Sequence, residues 1–106
     1  MTLEDFRRIA LSMPGTMEVS RLGQANFRVG RKTFATIEGP NDSITLVRLT
    51  PDQQAMFISR APAVFAAAPG GWGRLGTTIV QIAKADEATV QDALATAWSN
   101  IVTGER

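Results

Sequence analysis

Between Ala25 and Ile37 the chain alternates apolar and polar residues on either side of Gly30-Arg31. That pattern predicts two half-buried strands joined by a tight turn. Gly in the first position of a two-residue loop suits a type II′ turn, because that position needs a positive φ. Whether the turn centres on Gly30-Arg31 or on Arg31-Lys32, Phe27, Val29 and Phe34 point to one face; a three-residue loop would flip them. That face is read as core. Arg28 falls on the opposite face, and Arg31 and Lys32 on the tip.

Either side of this hairpin the pattern predicts further elements. Leu3, Phe6, Ile9, Ala10 and Met13 recur at helical spacing. Thr2 caps that helix; Asp5 suits the positive end of the dipole but is shorter than the Glu of an ideal capping box. Pro14-Gly15 ends it. Met17 to Leu22 reads weakly as an edge strand. Gly39-Pro40-Asn41-Asp42 is a turn, and Ser43 to Leu49 a strand. Strands at 25–30, 32–38 and 43–49 with short connections predict an antiparallel meander. Thr50-Pro51-Asp52-Gln53 is a capping box with Pro at the first helical position, opening a helix to about Ser59 with Ala55, Met56 and Ile58 among its apolar residues. Ala61 to Pro69 predicts a helical turn or an extended connector. Gly70 to Gly76 reads as a glycine-rich loop, and Thr77 to Ala83 as a strand. Asp86 caps a last helix on which Val90, Ala93, Leu94, Ala97, Trp98, Ile101 and Val102 form one stripe, closed by Gly104.

The order helix, strands, helix, strand, helix predicts a single α+β domain over residues 1–106. Two layers are expected: a mainly antiparallel sheet of four or five strands, with helices packed on one face. The other face should be partly solvated and polar, as the alternation at Arg28 and Thr45 permits.

Composition narrows the chemistry. The 106 residues, 44% hydrophobic and 20% charged with a net charge of +1, describe an ordinary globular domain and not a polycation. There is no cysteine and no histidine, which removes disulfides, thiol chemistry, the commonest general base and the commonest metal ligands. Any metal site would have hard oxygen ligands only. The serines have no histidine to activate them, and neither Lys32 nor Lys84 has a placed serine partner. Glu4-Asp5 and Asp86-Glu87 stand at helix starts, where the dipole alone explains them. No cofactor and no metal are expected. No apolar run approaches the ~20 residues of a membrane span, and no signal-peptide pattern opens the chain, so a cytoplasmic protein without membrane contact is expected.

With this layout the chain resembles the MmcQ/YjbR family of small bacterial proteins. The matching residues are Phe6 with Ala10 through Thr16 and Glu18; Phe27 through Ala35; Leu46 through Leu49 with Thr50-Pro51; Gly71-Trp72-Gly73 with Gly76; and Ala97-Trp98. The resemblance implies a two-layer fold like that of type III secretion chaperones or, more loosely, the frataxin-like group. It also implies the description DNA-binding, and it brings no catalytic motif. Fold alone does not imply function.

The residues themselves give a matching hint. No acid occurs between Glu18 and Glu38, whereas Arg21, Arg28, Arg31 and Lys32 all fall there. With Arg48 and Arg74 they make a candidate nucleic-acid surface. A charge run is ordinarily a solvated face, and edge cations also discourage strand-to-strand aggregation. Gly71, Gly73 and Gly76 spell G-x-G-x-x-G but are expected to lead into a strand, the wrong context for a nucleotide fingerprint. Trp72 has two readings. The favoured one packs it under the last helix; the other exposes it as a stacking platform beside Arg74. The function expected is a non-enzymatic domain that binds DNA through a basic hairpin and sheet face, by phosphate contacts with weak sequence preference. The alternative is a chaperone-like or homodimerising protein-interaction module.

Overall fold

Three of the helices, those starting at Leu3, Pro51 and Glu87, begin where a capping side chain dictates. In the computed structural model, which describes residues 1–104 apart from the side chain of Pro40, α1 spans Leu3–Ser12. Asp5 closes a full capping box despite its short side chain. Thr2 Oγ1 accepts from the Asp5 N–H at 3.1 Å, and the Thr2 N–H donates to Asp5 Oδ2 at 3.0 Å. α2 spans Pro51–Arg60 and carries the second box, between Thr50 and Gln53. α3 is a five-residue helix, Gly70–Arg74, where a loop is expected from the sequence. α4 spans Glu87–Val102, with the Asp86 carboxylate accepting from the Thr89 N–H at 2.8 Å.

The strands are β1 (Thr16–Arg21), β2 (Gln24–Val29), β3 (Lys32–Glu38), β4 (Ile44–Arg48), β5 (Phe65–Ala67) and β6 (Thr77–Val80). They form one sheet in the order β1-β2-β3-β4-β6-β5, antiparallel at every pairing. This is an α+β fold with six strands. The additional strand is β5, in the stretch between two prolines that the sequence leaves undecided. Three residues with little pattern of their own become a strand by pairing with β6. β6 is shorter than expected, and Ile82–Lys84 turns as a 3-10 helix.

The hairpin at the centre folds as its turn chemistry requires. Val29 pairs with Lys32 across Gly30-Arg31, and Gly30 has φ +62°. A β-bulge then shifts the register between Phe27 and Arg28: Phe27 faces Ala35, Arg28 faces Thr33, and Phe34 is the extra residue. Phe34 and Ala35 are therefore both fully buried. Beyond the bulge Thr36 turns to the opposite face, where its hydroxyl lies 3.1 Å from Asn26 Oδ1.

One face of the sheet carries the core. Phe6 of α1 meets Phe27 edge-on with ring centroids 6.3 Å apart, and Phe57 of α2 packs on Phe65 of β5 at 5.2 Å. Val90, Ala93, Leu94 and Ala97 of α4 are buried on the same side. Trp98, on that stripe, is half-buried, and Val102 is exposed. In α2 it is Gln54 and Phe57 that are buried, while Ala55 and Met56 face solvent. The Gln54 amide is satisfied by the Thr77 carbonyl at 3.0 Å and the Thr78 hydroxyl at 3.1 Å. That pairing lets a polar residue take the inward position.

Candidate nucleic-acid interface

β4 decides the character of the other face. Thr45, Val47 and Leu49 point into the core, so Ile44, Leu46 and Arg48 point out. The alternation thus runs opposite to the expectation for Thr45, whose hydroxyl donates to the Val80 carbonyl at 2.5 Å inside the core. The centre of the open face is apolar, with Ile79 of β6 beside Leu46.

The short helix α3 rises beside this face and turns it into a groove. Two glycines hold α3 in place. A Cβ on Gly73 would sit 1.8 Å from the Ala68 carbonyl oxygen, and one on Gly76 1.8 Å from that of Leu49. Neither position admits a side chain without movement of backbone. The groove holds about 580 Å³, and its lining includes Asn26, Thr36, Leu46 and Ile79 on the sheet with Pro69 and Trp72 on the wall. That volume lies within the roughly 300–1,000 Å³ of small-ligand sites.

Trp72 is 65% exposed on this wall, not packed under the last helix. Its partner is Arg48, whose guanidinium carbon lies 6.0 Å from the ring centroid, at the outer limit of a cation–π contact. Arg74 ends α3 in solvent and lines neither this groove nor the neighbouring cavity.

The groove is polarised along the strands. At one end Gln24 Nε2 donates to Glu38 Oε1 at 3.0 Å, beside Ile44. At the other stands Arg48, which also lines a second cavity of about 220 Å³ with Arg31, Lys32 and Thr33 of the hairpin and Ala97 and Ile101 of α4. Arg28 lies on the open face between Met17 and Thr33, its Nε buried without a hydrogen-bond partner. Arg21 is exposed at the end of β1, opposite Gln24. Of the six cations singled out in the sequence, the fold brings Arg31, Lys32 and Arg48 around one cavity and sets Arg28 on the adjoining face. Arg21 and Arg74 stay peripheral.

On the helical side Glu4, Asp5, Glu18, Glu87 and Asp92 are ion-paired. Arg7 bridges Glu4 at 2.7 Å and Glu18 at 3.1 Å, Arg8 bridges Asp5 at 3.4 Å and also pairs with Glu87, and Arg60 lies 3.3 Å from Asp92. No three acids among the described residues gather as a metal cluster.

The sequence signature of the YjbR family matches residues 11–100. The chain belongs to that family. The crystal structure of Deinococcus radiodurans protein DR2400, with its DUF419 domain, is similar at a TM-score of 0.78 and 12% identity, covering 99% of this chain and 81% of that one. At that identity the likeness concerns the fold. No curated protein sequence matches the chain.

In this YjbR domain the groove floor escapes a reading of charge and motif. Asn26, Thr36, Glu38, Ile44, Leu46 and Ile79 line it, and none stands out by residue type. One signal is in the sequence: Ile44-Thr45-Leu46-Val47 is nearly apolar on both faces, which a strand with one solvated face has no need to be.

Proposed function

We propose that this YjbR domain is a non-enzymatic, cytoplasmic bacterial protein that binds nucleic acid through its hairpin tip and open sheet face. The observation that carries the reading is the separation of charge. On the helical side Arg7, Arg8 and Arg60 are matched by carboxylates. The hairpin tip and open face hold Arg28, Arg31, Lys32 and Arg48, and among the described residues the groove is lined by one acid, Glu38. Such a surface neutralises phosphates and expels counterions. Among the described residues no helix lies on this face to present base-reading side chains, so affinity from the phosphate backbone and weak sequence preference follow.

The test is the double reversal Arg31→Glu/Lys32→Glu. Both residues are exposed at a turn, so the fold should persist. Each lost phosphate contact should flatten the slope of log K against log[salt] by about 0.9 on duplex DNA. Parent-like affinity and slope in the folded variant would exclude the hairpin as the contact. No binding by the parent at about 50 mM salt, where screening is weak, would end the reading.

A second reading rests on a different feature. β1 is an edge strand, Met17 on it is 53% exposed, and Leu22 just beyond is 95% exposed. That edge favours self-association or a protein partner by strand pairing. A solution mass that rises with concentration supports it.

A further inference from the structure

The two edges of the sheet are guarded unequally. β5 is three residues long and lies between Pro62 and Pro69, the short, proline-flanked kind of edge that resists pairing. β1 has six residues and no proline, and among the described residues no strand lies beyond it. Its one acid does not guard it either. The Glu18 carboxylate is drawn to Arg7 of α1, whose Nε lies 3.1 and 3.2 Å from the two oxygens. We propose that β1 pairs antiparallel with β1 of a second copy of this chain, about a two-fold axis at Val19, so that two sheets join into one. This deepens the protein-contact reading of that edge and rests on it.

The backbone decides which groups the edge offers. β1 and β2 meet through the two-residue turn Leu22-Gly23, closed by Arg21 and Gln24. Residues flanking such a turn exchange backbone hydrogen bonds. Arg21, Val19 and Met17 therefore turn their backbone groups to β2, and Ser20, Glu18 and Thr16 turn theirs outward. The Thr16 N–H is taken by the Met13 carbonyl at 3.2 Å, which leaves Glu18 and Ser20 as the residues with both backbone groups on the edge. With the axis at Val19, Glu18 of each copy stands opposite Ser20 of the other, and every one of those groups finds a partner. The side chains agree with this register. On the open face Val19 meets Val19 at the axis, and Met17, 53% exposed, lies along the apolar stem of Arg21. On the other side the Glu18 carboxylate comes beside the Ser20 hydroxyl. The turn carrying the exposed Leu22 comes against Thr16. The neighbouring registers are worse. An axis at Glu18 sets two carboxylates directly opposite each other, a destabilising pair. An axis at Ser20 sets Glu18 against Leu22, whose φ of +52° takes it out of the ladder. Self-complementarity about one residue is what a two-fold contact requires, and it is the argument for a second copy over an unrelated strand.

The chain has no cysteine, so a single introduced thiol reports on one position. At the axis the two Val19 positions are directly opposed, with Cα atoms about 4.5 Å apart, inside the disulfide range of about 4.4–6.8 Å. The two Met17 positions are out of step by roughly 13 Å along the strands, too far to bridge. Under mild oxidation Val19→Cys should form a disulfide dimer at least about tenfold faster than Met17→Cys. Ser20→Pro removes an outward N–H that β2 does not use, a place where an edge strand accepts proline. By symmetry it deletes two bonds between the copies. Sedimentation should show its dimer dissociation constant raised about 5- to 150-fold, with a cooperative thermal transition confirming the fold; should that variant not fold, the cysteine pair decides alone. If the parent's mass rises with concentration but Met17→Cys cross-links as fast as Val19→Cys, or folded Ser20→Pro associates like the parent, self-association stands and the Val19 pairing is wrong. If the parent stays monomeric up to about 1 mM, the weak limit of measurable pairing, the second copy is wrong and the edge is left to a different partner.

Discussion

Trp98 Nε1 donates to the carbonyl oxygen of Pro14 at 2.9 Å, tying α4 to the turn that ends α1. The two residues are 84 positions apart, so the bond closes the chain's two helical ends onto each other. Trp98 is half-buried and packs at the margin of the core, whereas Leu94 one turn earlier is fully buried. The two should respond differently to truncation. Leu94→Ala should cost about 2–5 kcal/mol. Trp98→Ala should fall below the ~3–5 kcal/mol of a fully buried aromatic. Trp98→Phe, which keeps most of the ring and loses the donor, should cost about 0.5–1.5 kcal/mol. Urea unfolding of the three variants checks the order; a Trp98→Phe protein as unstable as Leu94→Ala would contradict it.

A second long-range tie starts from the capping box of α2. Gln53 completes the box with the Thr50 N–H and also exchanges two amide hydrogen bonds with Asn100, at 3.0 and 2.8 Å. Asn100 is 1% exposed, so its amide depends on that partner. Asn100→Ala should cost about 1–3 kcal/mol by leaving the Gln53 amide half-satisfied. In a double-mutant cycle, Gln53→Ala and Asn100→Ala should be less damaging together than the sum of the two. Strict additivity would mean the pair is not coupled.

These cases show which parts of the fold were legible. Thr50-Pro51-Asp52-Gln53 and the Gly30-Arg31 turn were readable because caps and tight turns are set by residues a few positions apart. The α4 stripe was readable because it repeats with the helical period. The Gln53–Asn100 pair was not, since nothing local distinguishes a capping Gln that also reaches another helix. The bulge at Phe34 was invisible for the same reason: both Phe34 and Ala35 find places in the core only once α1 and α4 cover that face. The groove depended most on distant contacts. Its wall exists because Gly73 and Gly76 let backbone approach Ala68 and Leu49, and a G-G-W-G run does not disclose which segment it will touch. Of the candidate cations, Arg31 and Lys32 were placed by the turn alone, whereas the meeting of Arg48 with Trp72 required the α3 packing.

Acid should weaken the fold at two helix starts. The Asp5 carboxyl is held below its ordinary range by the Thr2 backbone N–H and hydroxyl, and that of Asp86 by the hydroxyl and N–H of Thr89. A depressed folded-state value means the ionised form is favoured by folding. The stabilisation is present above the unfolded Asp value of about 3.9 and is lost as pH falls below it through the folded values. Asp5→Asn/Asp86→Asn keeps capping oxygens without the charge. Thermal unfolding between about pH 5 and pH 2 should show a shallower acid loss in the double variant. Parallel curves would place the acid sensitivity elsewhere.

The turn between β1 and β2 holds a residue at odds with its conformation. Leu22 has φ +52° and Gly23 φ +79°, the two positive values of a type I′ turn, whose first position favours Asn, Asp or Gly. A β-carbon in the left-handed region costs roughly 1–2 kcal/mol, and Leu22, 95% exposed, has almost no burial to offset it. Leu22→Asn should therefore stabilise the monomer by up to about 1 kcal/mol, which raises the unfolding temperature by roughly 4–8 °C for a domain near this size. If the β1 edge is also a protein contact, the same substitution removes an exposed apolar anchor from it. Concentration-dependent association should then fall as thermal stability rises, and sedimentation of parent and variant over a range of concentrations separates the two effects. A lower unfolding temperature in Leu22→Asn at a concentration where the parent is monomeric would show that Leu22 supports the turn in some other way.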